Sequence, residues 1–419
     1  MKLYSENDSY KIYNGDMLDM LQVIEPESID AIVCDPPYEL GFMNKSWDST
    51  GIAFKKETWQ NCFEVLKPGG YLLAFGGSRT YHKIACAIED AGFEIRDCVM
   101  YLYGCGFSKS YNIGLAIDKK NGVESEVVGV GKSGCNSRAY QSEKTTTAGN
   151  YDIKKAQNEW QGWGTCLKPA YEPIIVARKP FKGSVVDNII KYRVGGLNID
   201  ECRVVETGGI KKVNIIKNSG SKICRFGCDG DKIETVECRF PANVITDGSE
   251  EVAKGMPNTT STPIAEESAM RYFYSAKASK KDRDEGLDAF EERKTTDGCI
   301  RANVETARKF GANSALRKNI HPTCKPTELM QYLVRLVSPK GATILDPFMG
   351  SGSTGKAVMF ENRERDANYK FIGIELTDEY LPIAQARIEY ARDKFKYDLE
   401  QEKVTKGKQN IFDFMESEE

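Results

Sequence analysis

The chain has 419 residues, of which 40% are hydrophobic and 28% charged, and its formal net charge is −3. These proportions are ordinary for a globular protein, and the length accommodates one large domain with insertions or two to three domains of ordinary size. No apolar run approaches the roughly 20 residues that cross a bilayer, and the opening stretch Met1–Glu6 has no apolar signal region, so neither a membrane span nor export is expected.

The first part of the chain alternates apolar runs with segments of helical spacing. Ile29–Cys34, which contains the apolar run Ala31–Cys34, and the apolar run Tyr71–Phe75 are typical of buried parallel strands. Between them, Thr58–Leu66 places its apolar residues on one helical face, and Lys67–Gly70 is predicted to be the turn that leads into the second strand. The same criteria predict a helix over residues 80–91 and strands over Phe93–Tyr103 and Pro173–Ala177.

The end of the chain repeats this alternation. Strands are predicted at Ile344-Leu345 and Phe371–Ile374, with a helix over Ser353–Phe360 between them and an amphipathic helix over Tyr380–Phe395 after them. Alternation at both ends predicts an α/β fold with a doubly wound, mostly parallel, Rossmann-like sheet.

The middle of the chain has a different texture. Residues 105–165 and 205–320 are polar and rich in glycine, without the strand-helix rhythm. Such a segment inside an α/β protein is typical of disorder or of a functional insertion. The tail from about residue 397 is predicted to be a solvated extension.

The motif Asp35-Pro36-Pro37-Tyr38 directly follows the first predicted strand. An exocyclic amine of a nucleobase is a poor nucleophile because its lone pair is delocalised into the ring. A carboxylate and a backbone carbonyl that each accept one N–H draw that lone pair out. Asp35 supplies the carboxylate, Pro36 supplies a carbonyl whose direction the two prolines fix, and Tyr38 supplies a face for a stacked base. The residues Asp35, Pro36, Pro37 and Tyr38 are therefore predicted to be catalytic, with an ordinary strand-end turn as the alternative.

A glycine-rich turn follows the predicted strand Ile344-Leu345. Its sequence is Asp346-Pro347-Phe348-Met349-Gly350-Ser351-Gly352, and a predicted helix begins at Ser353. Glycines let a ligand approach the backbone, and helix N-terminal N–H groups hold a carboxylate such as that of methionine. Glu375 ends the next predicted strand, where an acid takes the ribose hydroxyls of a nucleoside.

The same turn differs by one residue from a phosphate-binding loop, over Gly350–Lys356. In such a loop the next residue is a Ser or Thr that ligates Mg²⁺, and here it is Ala357. Because that hydroxyl is central to metal binding, a nucleoside triphosphatase is the weaker interpretation.

These motifs and their order resemble the β class of amino-group DNA methyltransferases, found in phages and in bacterial restriction-modification or orphan systems. That class places the Asp-Pro-Pro-Tyr motif first, then a target-recognition segment, then a Phe-x-Gly-x-Gly cofactor motif, as this chain does. Its signature His-Pro-Thr-x-Lys-Pro, which precedes a helix, is matched by His321–Pro326, with the helix over Glu328–Val337. The resemblance covers residues 10 to 180 and 320 to 395.

The resemblance implies S-adenosylmethionine as cofactor and a circularly permuted methyltransferase sheet. It implies that Thr323 and Lys325 help to hold the methionine end of the cofactor, and Gly15-Asp16 is similar to a further cofactor-side motif. Lys168–Lys179 resembles a late strand of the catalytic half. Residues 183 to 320 match phage members only in the patches Phe240–Ile245 and Tyr274–Lys280. The predicted cofactor-binding residues are Asp16, Thr323, Lys325, Asp346, Pro347, Phe348, Gly350, Ser351, Gly352 and Glu375.

The resemblance also implies a division of the chain and a partner. We expect residues 1–182 to form the catalytic half with the loop 105–165, 183–320 a target-recognition insertion, 321–396 the cofactor-binding half and 397–419 a solvated tail. Double-stranded DNA is the expected partner, no membrane is expected, and a homodimer is one assembly left open. The expected location is the cytoplasm of a bacterium or a phage-infected host cell.

The charge pattern agrees with a nucleic-acid partner. Residues 131–182 hold nine Lys or Arg against four acids, and residues 301–325 hold six against one. A basic groove on an acidic body would attract phosphates, although ordinary clumping of surface charge gives the same pattern.

The base and a metal remain open from the sequence. An Asp at the first position of the motif favours adenine N6 within the class, cytosine N4 is the alternative, and a catalytically idle DNA-binding module is the remote one. No Pro-Cys step occurs in the chain, so C5 methylation through a thiolate is not expected. The 13 cysteines favour free thiols in a reducing cytosol. No metal-binding residue is predicted, although zinc is an alternative for Cys202, Cys224, Cys228 and Cys238.

Overall fold

A computed structural model describes most of the chain, with gaps in the middle and at the end. The described residues are 2–41, 46–104, 106, 110–132, 150–205, 213–216, 233–236, 238–256, 258–262, 265–269, 273–276, 280–294 and 316–393.

The strands within the described residues are numbered in chain order. They are β1 (Lys2–Glu6), β2 (Tyr10–Asn14), β3 (Ile29–Cys34), β4 (Leu66–Phe75), β5 (Glu94–Leu102), β6 (Glu126–Lys132), β7 (Asn150–Lys155), β8 (Tyr171–Arg178), β9 (Val204–Val205), β10 (Val213–Ile216), β11 (Ile233–Val236), β12 (Cys238–Arg239), β13 (Val244–Thr246), β14 (Asn258–Thr262), β15 (Ala265–Ser268), β16 (Tyr274–Ser275), β17 (Arg293–Lys294), β18 (Leu316–Arg317), β19 (Thr343–Asp346) and β20 (Lys370–Glu375). The α-helices in the same residues are Met17–Leu21, Lys56–Val65, Tyr81–Asp90, Ile113–Lys120, Val185–Tyr192, Glu250–Gly255, Lys280–Asp284, Thr327–Val337, Ser353–Arg365 and 381–393. None of these helices is long and apolar enough to span a membrane.

Ten of the described strands form one sheet, in the order β1-β2-β20-β19-β3-β4-β8-β5-β13-β16. The strands from β2 to β4 in this order are parallel, and β8 runs antiparallel to both of its neighbours. Ile344 pairs with Ala31 and Leu345 with Ile32, so strands from opposite ends of the chain lie side by side. The predicted doubly wound, mostly parallel sheet with a permuted chain order is confirmed.

Apolar side chains cover both faces of the sheet. Along β3, Ala31 and Val33 belong to a cluster that includes the helices Thr327–Val337 and Ser353–Arg365. Ile32 and Cys34 point into a second cluster, which includes the helices Lys56–Val65 and Tyr81–Asp90. Because successive side chains of a strand point to opposite faces, an uninterrupted apolar strand is buried between two helical layers.

The predicted turn at Lys67–Gly70 is a bulge inside a strand in the structure. These residues lie inside β4, where Ile29 pairs with Leu66 and Ala31 with Tyr71. Four residues of β4 therefore bulge out opposite one residue of β3. Gly69 lies there at φ +82°, and its N–H donates to the Lys179 carbonyl, so the strand accommodates the local turn preference as a bulge.

The polar middle of the chain contains more helices and strands than its polar, glycine-rich sequence predicts. β13 and β16 extend the main sheet beyond β5, parallel to it, and they coincide with the two patches similar to phage members. Within the predicted loop 105–165, the helix Ile113–Lys120 is followed by the β6-β7 hairpin. The predicted domain boundaries stay predictions, and the tail 397–419 lies outside the described residues.

Candidate active site

Four acidic residues lie in a row where four neighbouring strands end. Asp16 follows β2 by two residues, Glu375 ends β20, Asp346 ends β19 and Asp35 directly follows β3. These strands are adjacent and parallel in the order β2-β20-β19-β3. Because neighbouring strands are about 4.8 Å apart, the row brings both predicted halves of the site to one edge of the sheet.

The turn Asp35-Pro36-Pro37-Tyr38 leaves β3 at this edge. Pro36 is buried, while the other three residues are partly exposed. The Tyr38 carbonyl accepts a 2.8 Å hydrogen bond from Thr80 Oγ1, which fixes the end of the turn. Within the described residues, Asp35 Oδ1 is buried and has no hydrogen-bond partner. A buried acceptor without a donor is costly, so this atom marks a place where an N–H donor would bind.

Lys325 holds the other oxygen of Asp35. Its ammonium lies 2.8 Å from Asp35 Oδ2 and 3.2 Å from Glu172 Oε2. It also donates a 3.1 Å hydrogen bond to the Tyr38 hydroxyl and lies 4.8 Å from the centre of the Phe75 ring. The resemblance implies a cofactor role for Lys325, but the structure places its ammonium with the turn Asp35-Pro36-Pro37-Tyr38.

Two ionisable groups beside Asp35, the Lys325 ammonium and the Tyr38 hydroxyl, each keep one protonation state. Burial opposes the charge of Lys325, but Asp35 and Glu172 outweigh burial and raise the pKa of the ammonium above its usual range. Burial, together with the charges of the same two carboxylates, raises the pKa of the Tyr38 hydroxyl well above its usual range. Lys325 is therefore a permanent cation and Tyr38 a neutral phenol at physiological pH.

The carboxylate of Asp346 is enclosed by the glycine-rich turn. Oδ1 accepts a 3.0 Å hydrogen bond from Phe348 N, and Oδ2 accepts a 2.5 Å hydrogen bond from Thr354 Oγ1. Burial raises the pKa of Asp346 to about 7 against these two bonds, and the charges of Asp35 and Glu375 add to the rise. A cation bound at this edge would favour the ionised carboxylate, so the row of acids fits a positively charged ligand.

Glu375 connects the glycine-rich turn to two neighbouring segments. Its Oε2 accepts a 2.7 Å hydrogen bond from Gly350 N, and its Oε1 accepts one of 2.7 Å from Thr377 N. Its carbonyl accepts a 3.0 Å bond from Gly15 N. Since each carboxylate oxygen has two lone pairs, Glu375 orders the turn and keeps acceptor capacity for a ligand.

The other predicted cofactor residues beside the turn have structural contacts. Asp16 caps the helix Met17–Leu21 by accepting a 2.8 Å hydrogen bond from Leu18 N. Pro347 is buried, and the Phe348 ring lies 6.2 Å from the Trp59 ring, centre to centre. These contacts fix the walls of the candidate cofactor site.

The His-Pro-Thr-x-Lys-Pro signature packs directly on the glycine-rich turn. His321 Nδ1 is hydrogen-bonded to the Thr323 carbonyl, and Cys324 Sγ lies 3.2 Å from Ser351 Oγ. The His321 ring lies so close to Gly350 that a Cβ atom there would be 2.9 Å from Nε2. A cofactor contact for Thr323 or Ser351 stays a prediction.

The protein's own packing requires the two glycines of the turn. Gly350 has φ +53° and Gly352 has φ +74°, both in the left-handed region. A Cβ atom on Gly352 would lie 3.0 Å from Ala384 Cα. The sequence analysis assigns the space beside these glycines to a ligand. In the structure, protein atoms occupy the position that a side chain on either glycine would take.

A fully buried arginine, Arg387, holds the glycine-rich turn through hydrogen bonds. Arg387 Nη1 donates to the Ser351 carbonyl at 2.6 Å, to Ser351 Oγ at 3.0 Å and to Ser353 Oγ at 3.2 Å. Its charge therefore lies at the N-terminus of the helix Ser353–Arg365, where a carboxylate ligand is favoured.

Lys356, the lysine of the phosphate-loop alternative, is used inside the protein. It is fully buried, with its ammonium 2.7 Å from Asp282 Oδ1 and 3.0 Å from Glu285 Oε2. In a phosphate loop that ammonium contacts the nucleotide phosphates. The geometry, together with Ala357, argues against a nucleoside triphosphatase.

The zinc alternative falls partly outside the described residues, which do not include Cys224 and Cys228. Cys202 is buried against the helix Thr327–Val337, with Sγ 4.0 Å from the Tyr332 carbonyl. The structure describes no group of three or more His, Cys, Asp or Glu that could hold a metal in the part of the chain it covers.

Sequence reasoning missed three residues of the site. Glu172 lies near the start of the buried strand β8 and is followed by Pro173, the acid-proline pattern that singles out Asp35 and Asp346. Arg387 is a charged residue on the apolar face of the last helix, which is a detectable anomaly. Thr354 has no distinguishing sequence signal.

Known proteins similar to this chain include DNA methyltransferases of several bacteria. Type II methyltransferase HindIII of Haemophilus influenzae is 22% identical over 250 residues, which are 49% of this chain and 71% of the relative. Type II methyltransferase M2.DpnII of Streptococcus pneumoniae is 42% identical over 69 residues, 16% of this chain and 24% of the relative. DNA adenine methyltransferase YhdJ of Escherichia coli is 38% identical over 71 residues, 17% of this chain and 22% of the relative. The chain thus spans less than a quarter of the last two relatives.

Solved structures that align with most of this chain share little sequence with it. M1.HpyAVI aligns with 90% of the chain and 98% of its own length, at 15% identity and a TM-score of 0.37. The cytosine-N4-specific PvuII DNA methyltransferase aligns with 92% of the chain and 90% of its own length, at 12% identity and a TM-score of 0.40.

A family profile covers most of the chain. The profile of the N6/N4 methyltransferase family described as DNA methylase matches residues 29–386. This span includes the Asp35 turn, the signature His321–Pro326, the glycine-rich turn and Glu375. The chain belongs to the DNA methylase family.

Proposed function

We propose that this protein is a site-specific methyltransferase that transfers the methyl group of S-adenosylmethionine to the N6 amine of an adenine in DNA. The observation that carries the proposal is the carboxylate of Asp35. One oxygen is fixed by Lys325 at 2.8 Å, and the other is buried without a donor among the described residues. An exocyclic N–H supplies the missing donor, and β19 brings the glycine-rich turn next to this pocket.

The catalytic turn activates the amine. Asp35 Oδ1 accepts one N–H and the Pro36 carbonyl accepts the other, which localises the nitrogen lone pair for attack. The ring of Tyr38 offers a stacking face for a base extruded from the duplex. The amine gives up a proton in the reaction, and Asp35 Oδ1 is placed to accept it.

The row of acids and the braced turn fit the cofactor. S-adenosylmethionine, when bound, supplies an electrophilic methyl group on a positively charged sulfur. Asp346, with its pKa raised to about 7, gains from a nearby cation, and Glu375 has lone pairs for ribose hydroxyls. Arg387 and the helix N-terminus behind Ser351 favour the methionine carboxylate.

Adenine is the proposed base, and cytosine is the alternative. Both bases present an exocyclic amine with two N–H groups, so the acceptors at Asp35 and Pro36 serve either one. Within the resembled class, Asp at the first motif position favours adenine. Similar proteins include both a DNA adenine methyltransferase and a cytosine-N4-specific enzyme, so they favour neither base.

We propose that residues 183–320, with the loop from 120 to 165, read the DNA sequence. The sheet segments are assigned to cofactor binding and to the reaction at the base, so sequence recognition needs additional surface. Phosphate contacts are proposed for Lys277, Lys280, Lys281, Arg317 and Lys318; the first of these lies outside the described residues. Lys281 is exposed, and Lys318 lies 3.8 Å from Asp288. Exchanging residues 183–320 for those of a relative with another target should change the methylated motif, and an active chimera with the original motif would contradict this role.

The test of the activity uses purified protein, duplex DNA and S-adenosylmethionine labelled in its methyl group, with mass spectrometry of the digested nucleosides. Label in N6-methyladenine is expected. Asp35→Ala should transfer less than a few per cent of the wild-type amount and keep its cofactor affinity, while Asp19→Ala, an exposed acid, should behave as wild type. Label in N4-methylcytosine would favour the alternative base, and substantial transfer by Asp35→Ala would refute the assignment of Asp35.

A further inference from the structure

We propose that Lys325 and Glu172 are positioning residues for the catalytic carboxylate. Lys325 holds Asp35 by Oδ2 and so leaves only Oδ1 to accept the amine of the base, and Glu172 holds Lys325 through a second ion pair. The proposal rests on the proposed function, because it assigns roles inside the same pocket.

Three distant parts of the chain supply this arrangement. Asp35 follows β3, Glu172 lies near the start of β8, and Lys325 precedes the helix Thr327–Val337. The Lys325 side chain is only 10% exposed, against 24% for Asp35 and 25% for Glu172. An ion pair this enclosed is screened far less by solvent than a surface pair.

Tyr38 closes the arrangement into a ring of contacts. Its hydroxyl donates a 3.1 Å hydrogen bond to Glu172 Oε2 and accepts one of 3.1 Å from Lys325 Nζ. The stacking face of Tyr38 and the acceptor of Asp35 are therefore oriented by the same two charged residues. A shift of Lys325 or Glu172 would displace both groups that meet the base.

The ring explains why one oxygen of Asp35 has no partner. A carboxylate with both oxygens available can rotate and present either one to a donor. The bond to Lys325 removes that freedom, so Oδ1 points in one direction before the base arrives. Preorganised acceptors of this kind lower the barrier because they need no reorganisation during the reaction.

The pocket also has a defined charge. Two carboxylates and one ammonium leave one negative charge, which favours the positive charge that develops on the amine nitrogen. Asp35 is surrounded by these titratable groups: Lys325, Glu172, Tyr38, Asp346 and the thiol of Cys34. Among them Lys325 is the only cation, so it is the group that offsets the charge of the two carboxylates.

The experiment compares Lys325→Met, Lys325→Arg and Glu172→Gln with wild type. Methionine keeps the length of the side chain and removes the charge, and arginine keeps the charge. Lys340→Met is the matched control, since Lys340 is 61% exposed and paired only with the exposed Asp366 among the described residues. The readouts are cofactor affinity by calorimetry and the single-turnover rate of methyl transfer at saturating cofactor.

Lys325→Met is expected to slow transfer roughly 100-fold, as for a misplaced catalytic group, with cofactor affinity within about threefold of wild type. Lys325→Arg should restore part of the rate, because it keeps a cation beside Asp35. Glu172→Gln should slow transfer about tenfold without changing cofactor affinity.

Two results would overturn the proposal. A large loss of cofactor affinity in Lys325→Met, with a normal rate at saturation, would place Lys325 on the cofactor. A normal rate at saturating cofactor in both Lys325→Met and Glu172→Gln would show that neither residue positions Asp35. If Lys325→Met does not fold, Lys325→Arg and Glu172→Gln decide by the same criteria. Absence of transfer by the wild-type protein on any DNA is a different outcome, which refutes the proposed function itself.

Discussion

Replacing Lys356 with methionine is expected to lower the free energy of unfolding by about 3–5 kcal/mol, the range for removal of one partner from a buried ion pair. Lys356 is 0% exposed, and its ammonium contacts Asp282 Oδ1 at 2.7 Å, the Asp282 carbonyl at 2.9 Å and Glu285 Oε2 at 3.0 Å. Methionine fills nearly the same volume, so little cavity cost is added. Burial and the charge of Arg387 lower the pKa of Lys356, so the loss comes from the two carboxylates, 18% and 17% exposed, that no longer contact the Lys356 ammonium.

The acidic side of the same pair has a predictable pH dependence. Burial opposes ionisation of Asp282, but the charge and hydrogen bond of Lys356 and the bonds from Thr327 lower its pKa below the usual value. A lowered pKa means that this stabilisation is complete above the unfolded-state value of about 3.9 and disappears as the pH falls through the folded-state value. Lys356→Met should therefore lose less stability near pH 3 than at pH 7.

The assay is urea unfolding of wild type and Lys356→Met at both pH values, with linear extrapolation to water. Lys340→Met, which breaks an exposed pair, is the control and should change stability by no more than about 1 kcal/mol. A loss of less than about 1 kcal/mol in Lys356→Met at pH 7 would refute the buried pair. It would also reopen a phosphate-binding role for this lysine.

Three further predictions concern the site. Cofactor affinity should rise up to about tenfold per pH unit as Asp346 ionises around pH 7, since the ionised form attracts a cation; calorimetry of Asp346→Asn should show a flatter dependence, and an unchanged slope would contradict the role of this carboxyl. Tyr38→Ala should weaken transition-state binding by about 1–3 kcal/mol through lost stacking, and Tyr38→Phe should lose less, because it keeps the ring; equal kcat/KM losses would argue against stacking. Gly352→Ala should lower the unfolding free energy by at least about 1–2 kcal/mol, the cost of a left-handed non-glycine residue, because of φ +74° and the contact with Ala384; an unchanged Tm would refute it.

Local patterns predicted the sheet and the row of acids well. Buried parallel strands are continuous apolar runs, and each of Ile29–Cys34, Thr343–Asp346 and Lys370–Glu375 has an acid at or directly after its end. Ligands in open α/β sheets bind where the strand order reverses. The adjacency of β3 and β19 therefore followed from two short motifs, despite their distance along the chain.

Side-chain contacts between distant segments, and the shortest strands, could not be predicted from the sequence. Lys325 and Asp35 are 290 residues apart, and the family signature alone gives Lys325 a different partner. β13 and β16 have only three and two residues, too few to show a strand period. The Pro-Gly-Gly stretch inside β4 shows the opposite case, in which a clear local turn signal falls on a bulge of four residues opposite a single residue of β3.

The central claim, adenine methylation in DNA through Asp35, is tested most directly by long-read sequencing. The DNA would come from cells that express the wild-type protein or Asp35→Ala, in a host without background methylation. The wild-type sample should carry N6-methyladenine at one short motif throughout the genome, and the Asp35→Ala sample should carry none. The same methylation in both samples, or N4-methylcytosine in place of N6-methyladenine, would contradict the account.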